Sequence, residues 1–557
     1  MNRPATPIVL GTACAVLLLP PRLAAAGPRI PSDVKEQVRA RVKNDLSSCI
    51  VVGVIDESGT TYFSRGTLAR GDKRKADKNT IFEIGSITKV FTTLLLADMA
   101  ERGVLKLEDP IEKFLPKEVK VPTRGGKSIT LRNLATHRSG LPRLPTNVAP
   151  ADPANPYADY TTEQLYTFLS NYTLSRDIGS AYEYSNLGVG LLGHILARQA
   201  GKTYEQLIVE RISKALGMKN TCITLSLKQK SRLARPNGGG KKNVNWDFDC
   251  LEGCGAVRST ARDMLRFMAA NMNLRKTPLH KAMERSHQGR IETGVPKLAI
   301  ALGWHIWSRH GPEIIWHNGG TGGYHSFCGF VPSKNLGVVV LANSPLDIDD
   351  IGLHILEPQY KLTKIREHIR LSSDVLKKYV GWYAVSPSLR FHITRDGQKL
   401  FAQLTGQGVL PIYAESETEF FYRVVDAQIS FVLGKDGKAQ SLTLHQNGAN
   451  PTFKRLGSDF KPPPARAEVS VKPGVLEHYV GTYELTPDVI FTVTTADNKL
   501  MVQITGQPQF EVYAESETQF FYKVVEAQLT FVKDGDGKVT SLILHQGGMD
   551  RTAMKTK

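Results

Sequence analysis

The chain has 557 residues, more than one hydrophobic core ordinarily serves, so two or three domains are expected. Its 41% hydrophobic and 22% charged residues exclude a disordered or fibrous chain. A formal net charge of +18 favours anionic surfaces such as wall polymers, but no aromatic-interleaved basic stripe accompanies it, so no nucleic-acid partner is expected.

Residues 1–26 read as a cleaved signal peptide: an acid-free start with Arg3, an apolar stretch at 8–19 too short to span a bilayer comfortably, Pro20-Pro21 behind it, and Ala24-Ala25-Ala26 for cleavage. A secreted or periplasmic protein follows, and loss of Arg3 and Arg22 lowers the charge to +16. Export leaves Cys49, Cys222, Cys250, Cys254 and Cys328, an odd set without zinc-ligand spacing, so no metal site is expected and one disulfide is left open. Residues 31–362 mix both periodicities and predict one large α/β domain. It has a helix at 33–46, strands at Cys49–Asp56 and 60–65, a long helix after Gly85 that Gly103 stops, and a buried strand at 338–342.

Two copies of one module close the chain, at 371–456 and 475–552, joined by a stiff linker at 457–474 that contains Pro462-Pro463-Pro464. From Leu376 to Gln446 the sequence returns 100 positions later without a gap: Tyr379-Val380-Gly381 recurs as Tyr479-Val480-Gly481, and Tyr413-Ala414-Glu415 as Tyr513-Ala514-Glu515. Alternating or aromatic runs at 389–394, 399–404 and 419–425, separated by Asp396-Gly397 and Asp436-Gly437, predict short strands. A module of this size must hide its sheet edges, so each copy is expected to be a small antiparallel barrel.

Three segments carry chemistry. In Ser86-Ile87-Thr88-Lys89 the hydroxyl and the amine fall on one helix face, and a desolvated amine can take a hydroxyl proton. Tyr184-Ser185-Asn186 precedes a helical run at 189–199; a tyrosine beside an ammonium can act partly as phenolate, and the Asn amide can hold Lys89 and a substrate carbonyl. His317-Asn318-Gly319-Gly320-Thr321-Gly322-Gly323 follows a strand-like run, and its glycines let a substrate lie against the strand edge. Each segment alone also reads as ordinary structure: a capped helix start, a second capped helix, a glycine-rich hairpin.

Together and in this order they resemble the serine β-lactamase and penicillin-binding-protein superfamily, in particular class C β-lactamases, D-alanyl-D-alanine carboxypeptidases and D-aminopeptidases. The flanks Phe82-Glu83-Ile84-Gly85, Leu134-Ala135-Thr136-His137-Arg138-Ser139-Gly140-Leu141-Pro142 and Arg258-Ser259-Thr260-Ala261 fit too. The resemblance implies an α/β (α+β) β-lactamase-like transpeptidase fold with an antiparallel sheet and a helical domain, followed by two lipocalin-like barrels. It implies a serine hydrolase in which Ser86 is acylated, Lys89 and Tyr184 transfer protons, Asn186, His317, Asn318 and Gly319 bind substrate, and Ser86 and Gly320 offer oxyanion N–H groups. No cofactor is implied, the substrate being a β-lactam or D-amino-acid peptide, and homo-oligomerisation is left open.

Two departures bear on substrate. His317-Asn318 stands where β-lactamases have Lys-Thr, so the usual cation for a substrate carboxylate is missing, and Leu144-Pro145 stands where class C enzymes place a binding Gln. A promiscuous carboxylesterase and a non-turnover penicillin sensor are the rival readings.

Overall fold

The computed structural model describes residues 27–556 apart from 238–243, 387–388, 424, 447, 458, 461–467, 487–488, 497–498, 506, 508, 524–526 and 547–548. The expected signal peptide and part of the expected linker lie outside the described residues. Two compact units divide at Ile365 and Arg366.

The first unit is built on an eight-stranded sheet in the order Gly59–Gly66, Cys49–Asp56, Leu336–Ala342, His325–Val331, Ile314–Gly320, His305–Trp307, Leu298–Ile300, Ile291–Glu292. Every pairing in it is antiparallel. The continuous apolar run at 338–342 arises because its strand is covered on both faces. Val338, Val340 and Ala342 pack with Val34 and Val38 of helix Ser32–Lys43 and with Ile351 and Leu356 of helix Asp349–Leu356, whereas Val339 and Leu341 join the larger core with Met264 and Met268 of helix Ala261–Asn271. The first helix stops at Lys43, short of the expected 46, because Asp45 takes a left-handed φ of 59° and the Asn44 amide folds back to the Ala40 carbonyl at 2.9 Å.

Helix Thr88–Glu101 runs through the larger core and is buried on every side, with twelve of its fourteen residues inaccessible. Its polar side chains are therefore satisfied internally: Thr92 donates to the Gly253 carbonyl at 2.7 Å, Thr93 to the Leu302 carbonyl at 2.8 Å, and Asp98 accepts two bonds from Arg211. Close approach of the neighbouring helix Asn186–Ala200 to the turn Glu252–Cys254 needs Gly193 and Gly253, since a Cβ on either would stand 2.8 Å from the other's Cα.

In the second unit each repeat closes into an eight-stranded barrel, from Gly381–Ser386 to Thr452–Arg455 and from Gly481–Thr486 to Met549–Lys555. The copies keep one register: Tyr383 opposes Phe391 as Tyr483 opposes Phe491, and the register slips after Val432 in one and after Val532 in the other. The strand expected at 419–425 ends at Phe421, where the Tyr422 N–H turns to the Ala427 carbonyl at 3.0 Å. Each barrel has its own apolar core. Among the described residues no helix is long and apolar enough to cross a membrane.

Candidate active site

Ser86 is delivered by a strand that stops abruptly. Ile81–Glu83 pairs with Arg258–Thr260, and the Ile84 N–H still reaches the Val257 carbonyl at 3.0 Å; Gly85 then takes a φ of +49° and the chain turns through Gly85–Ile87 into the buried helix. Only glycine suits that position, for conformation and for space: a Cβ on Gly85 would stand 2.9 Å from the Gly320 N. Gly319 is tighter still, because its Cβ would meet the Ile84 carbonyl oxygen at 2.0 Å and the Ser86 N at 2.9 Å. The glycines of the third segment thus bring the edge of strand Ile314–Gly320 against the nucleophile turn.

The Lys89 amine lies 2.9 Å from the Ser86 Oγ and donates to the Cys254 carbonyl at 2.7 Å. It is wholly buried, and desolvation, aided by the Arg143 charge, lowers its pKa to about 8. Tyr184 stands beside it, with the amine 4.8 Å from the ring centre. Burial pushes the Tyr184 phenol up and the Ser86 hydroxyl beside it only partly offsets this, which works against the expected part-ionised phenolate. Desolvation penalises the charged form of both groups: with a pKa of about 8 the amine gains its basic, neutral form as pH rises towards and past that value, and the phenol keeps its proton to donate.

Asn186 opens helix Asn186–Ala200, whose N-cap Ser185 accepts the Gly188 N–H at 2.8 Å. The expectation that its amide holds Lys89 is corrected: the amide nitrogen donates to the Tyr157 hydroxyl at 2.8 Å, and the Cys254 carbonyl takes the lysine instead. The Asn186 Oδ1 is buried without a partner among the described residues, and the residue lines the cavity above Ser86.

Strand alternation separates the two side chains of the third segment. The His317 ring is buried, 5.0 Å from the His305 ring and 6.2 Å from the Tyr184 ring, and desolvation with the neighbouring charges holds it well below the ordinary histidine pKa. It does not line the cavity, contrary to its expected place against substrate. Asn318 points the other way and gives its amide nitrogen to Asp349 at 2.5 Å, and Asn318, Gly319 and Gly320 line the cavity. Asp349 also bonds His325 at 3.1 Å; with Asp347 these form a cluster whose donor atoms lie within 4.8 Å. All five described cysteines are free thiols.

The cavity above Ser86 measures about 550 Å³. Sequence reasoning missed several of its walls: Arg143, Tyr157, Tyr182, Trp246, Phe248 and His305 line it with Tyr184 and Asn186. It also missed His137, quoted only as a flank, whose ring stacks on Tyr184 at 4.5 Å and whose Nδ1 accepts the Ser185 N–H at 3.0 Å, fixing the second segment from behind. Its left-handed φ of 58° is a signal visible only in the structure.

Residues 34–353 match the Beta-lactamase family, and residues 366–461 and 465–556 each match a domain of unknown function (DUF3471). The D-alanyl-D-alanine-carboxypeptidase/endopeptidase AmpH of Escherichia coli K12 is 34% identical over 307 residues, which cover 53% of this chain and 79% of that protein. A beta-lactamase of Pseudomonas fluorescens is 28% identical over 353 residues, covering 56% of this chain and 94% of its own. The solved beta-lactamase/D-alanine carboxypeptidase of Yersinia pestis, complexed with citrate, aligns with a TM-score of 0.52 at 27% identity, over 59% of this chain and 97% of that one. A class C beta lactamase from Rhodobacter sphaeroides aligns with a TM-score of 0.51 at 26% identity, over 58% and 100%. The matched segment takes in more than half of the sequence, together with the nucleophile turn, the Tyr184 segment and the glycine-rich strand, and the chain belongs to the β-lactamase family of serine hydrolases.

Proposed function

We propose that the protein forms an acyl-enzyme at Ser86 and hydrolyses amide bonds of β-lactams or of D-alanyl and other D-amino-acid peptides. The observation that carries this reading is the buried Lys89 amine, its pKa lowered to about 8, 2.9 Å from the Oγ of Ser86, which lines an open cavity. Ser86 Oγ attacks the carbonyl as Lys89 takes its proton; the oxyanion is met by the N–H groups of Ser86 and Gly320. Lys89 and Tyr184 pass that proton to the departing amine as the C–N bond breaks. Water, giving a proton to the same pair, then attacks the ester carbonyl; the bond to Ser86 Oγ breaks, and the pair returns that proton to the serine oxygen as the acid product leaves. The names of the relatives, a carboxypeptidase/endopeptidase and a beta-lactamase, support this substrate range. The acid-free start, apolar stretch and alanines of residues 1–26 support export.

The buried neutral His317 in place of a cation favours one second reading, a carboxylesterase. Intact-mass analysis and kcat/KM with a labelled penicillin, a D-alanyl-D-alanine peptide and a short acyl ester separate them. Turnover of penicillin or peptide through a Ser86 adduct supports the amidase, and turnover of ester alone supports the esterase. A penicillin adduct that never clears makes it a sensor. Absence of any adduct at Ser86 overturns all three.

A further inference from the structure

Penicillins and C-terminal peptides carry a carboxylate, and the third segment offers no cation for it: the His317 ring is buried and Lys89 is committed to Ser86 and the Cys254 carbonyl. Among the described residues that line the cavity, Arg143 is the one permanent charge, and no Asp or Glu accompanies it. Its guanidinium is exposed, sits 5.2 Å from the centre of the Tyr184 ring, and forms no ion pair among the described residues. Its charge is felt at Lys89, His137 and Tyr184, which places it within reach of the reacting groups.

The backbone beneath it is fixed. The Arg143 carbonyl accepts the Asn186 N–H at 3.0 Å and the Leu187 N–H at 3.2 Å, so the loop that carries the guanidinium is pinned to the second segment. Its neighbours on the cavity wall, Leu144 and Val148, are apolar and compete for none of its donors. A planar fork of N–H donors at the mouth of a pocket without acids is complementary to a carboxylate.

We propose that Arg143 is the residue that selects substrate charge, gripping a carboxylate on the acyl donor while Ser86 attacks its carbonyl. This rests on the acyl-enzyme reading above. The test uses p-nitrophenyl butyrate, mono-p-nitrophenyl glutarate with its carboxylate on the acyl side, and 3-carboxy-4-nitrophenyl butyrate with its carboxylate on the leaving side. Each is assayed with the full chain, Arg143→Gln and Arg143→Lys. In Arg143→Gln the kcat/KM ratio of one carboxylate ester to the neutral ester falls by about 10- to 100-fold, chiefly through KM, and Arg143→Lys restores part of it. Which ester responds tells the side on which the carboxylate lies. Ratios for both carboxylate esters unchanged from the full chain overturn the proposal. Labelling of Ser86 by the neutral ester, absent in Ser86→Ala, tests the underlying reading separately; if none of the three esters labels Ser86, both fall.

Discussion

In the barrels the buried tyrosine hydroxyls of Tyr379, Tyr383, Tyr479 and Tyr483 each donate to a backbone carbonyl, with Tyr522 the exception. Around Ser86 the accounting is reversed. His137 Nε2, Asn186 Oδ1, His305 Nδ1 and His317 Nε2 are buried with no partner among the described residues, and an amine is buried beside them with its pKa lowered to about 8. Folded proteins ordinarily satisfy such groups, so a cluster of exceptions marks where the fold accepts instability for the sake of a reaction. The barrels are built for persistence, the cavity for chemistry.

The comparison is broken most severely at the nucleophile. Ser86→Ala abolishes acylation and lowers hydrolysis by about 10⁴-fold or more, while thermal unfolding stays within about 1 kcal/mol of the parent. Lys89→Met sharpens it, because activity and stability move in opposite directions. Hydrolysis falls by about 10³-fold or more. The folded state binds the Lys89 proton more weakly than the unfolded chain, so at pH 7 the burial penalty is fully present; its removal stabilises the protein by up to about 3 kcal/mol. In the parent that penalty fades as pH rises from about 8 towards the ordinary lysine value, and stability rises with it; in Lys89→Met this rise is absent in chemical denaturation.

Gly319→Ala comes next. Its methyl has to displace the Ile84 carbonyl and the Ser86 N–H, so kcat drops by about 10²-fold and stability by about 2 kcal/mol. The smallest effect lies on the other side of the comparison: Tyr483→Phe strands the Tyr479 carbonyl, costs about 1 kcal/mol in unfolding of that barrel, and leaves kcat/KM within about twofold.

What the sequence made legible follows from the kind of group involved. Ser86, Lys89 and Tyr184 act through side chains, and their short spacings and flanks can be read. The Cys254 carbonyl that holds Lys89 cannot, since every residue carries one, and it is brought there by the glycine contact between positions 193 and 253. Arg143 and His305 reach the cavity from a loop and a strand outside the three segments, so no motif announces them. The raised pKa of the Tyr184 phenol was hidden for a related reason: adjacency to Lys89 can be read from the motifs, but the burial that penalises both charges cannot. Repetition made the barrels the most legible part of the fold, because two copies with one pattern of strands and turns leave a closed sheet as the natural form.

The central claim is that a buried, largely deprotonatable Lys89 activates Ser86. Single-turnover acylation of Ser86, followed by intact mass across pH 6 to 10 in the parent and in Lys89→Met, tests it directly. The account predicts a rate in the parent that rises with pH and is half-maximal near about 8, and almost no adduct at any pH in Lys89→Met. A parent profile without that rise, or a Lys89→Met protein acylated at the parent rate, contradicts it.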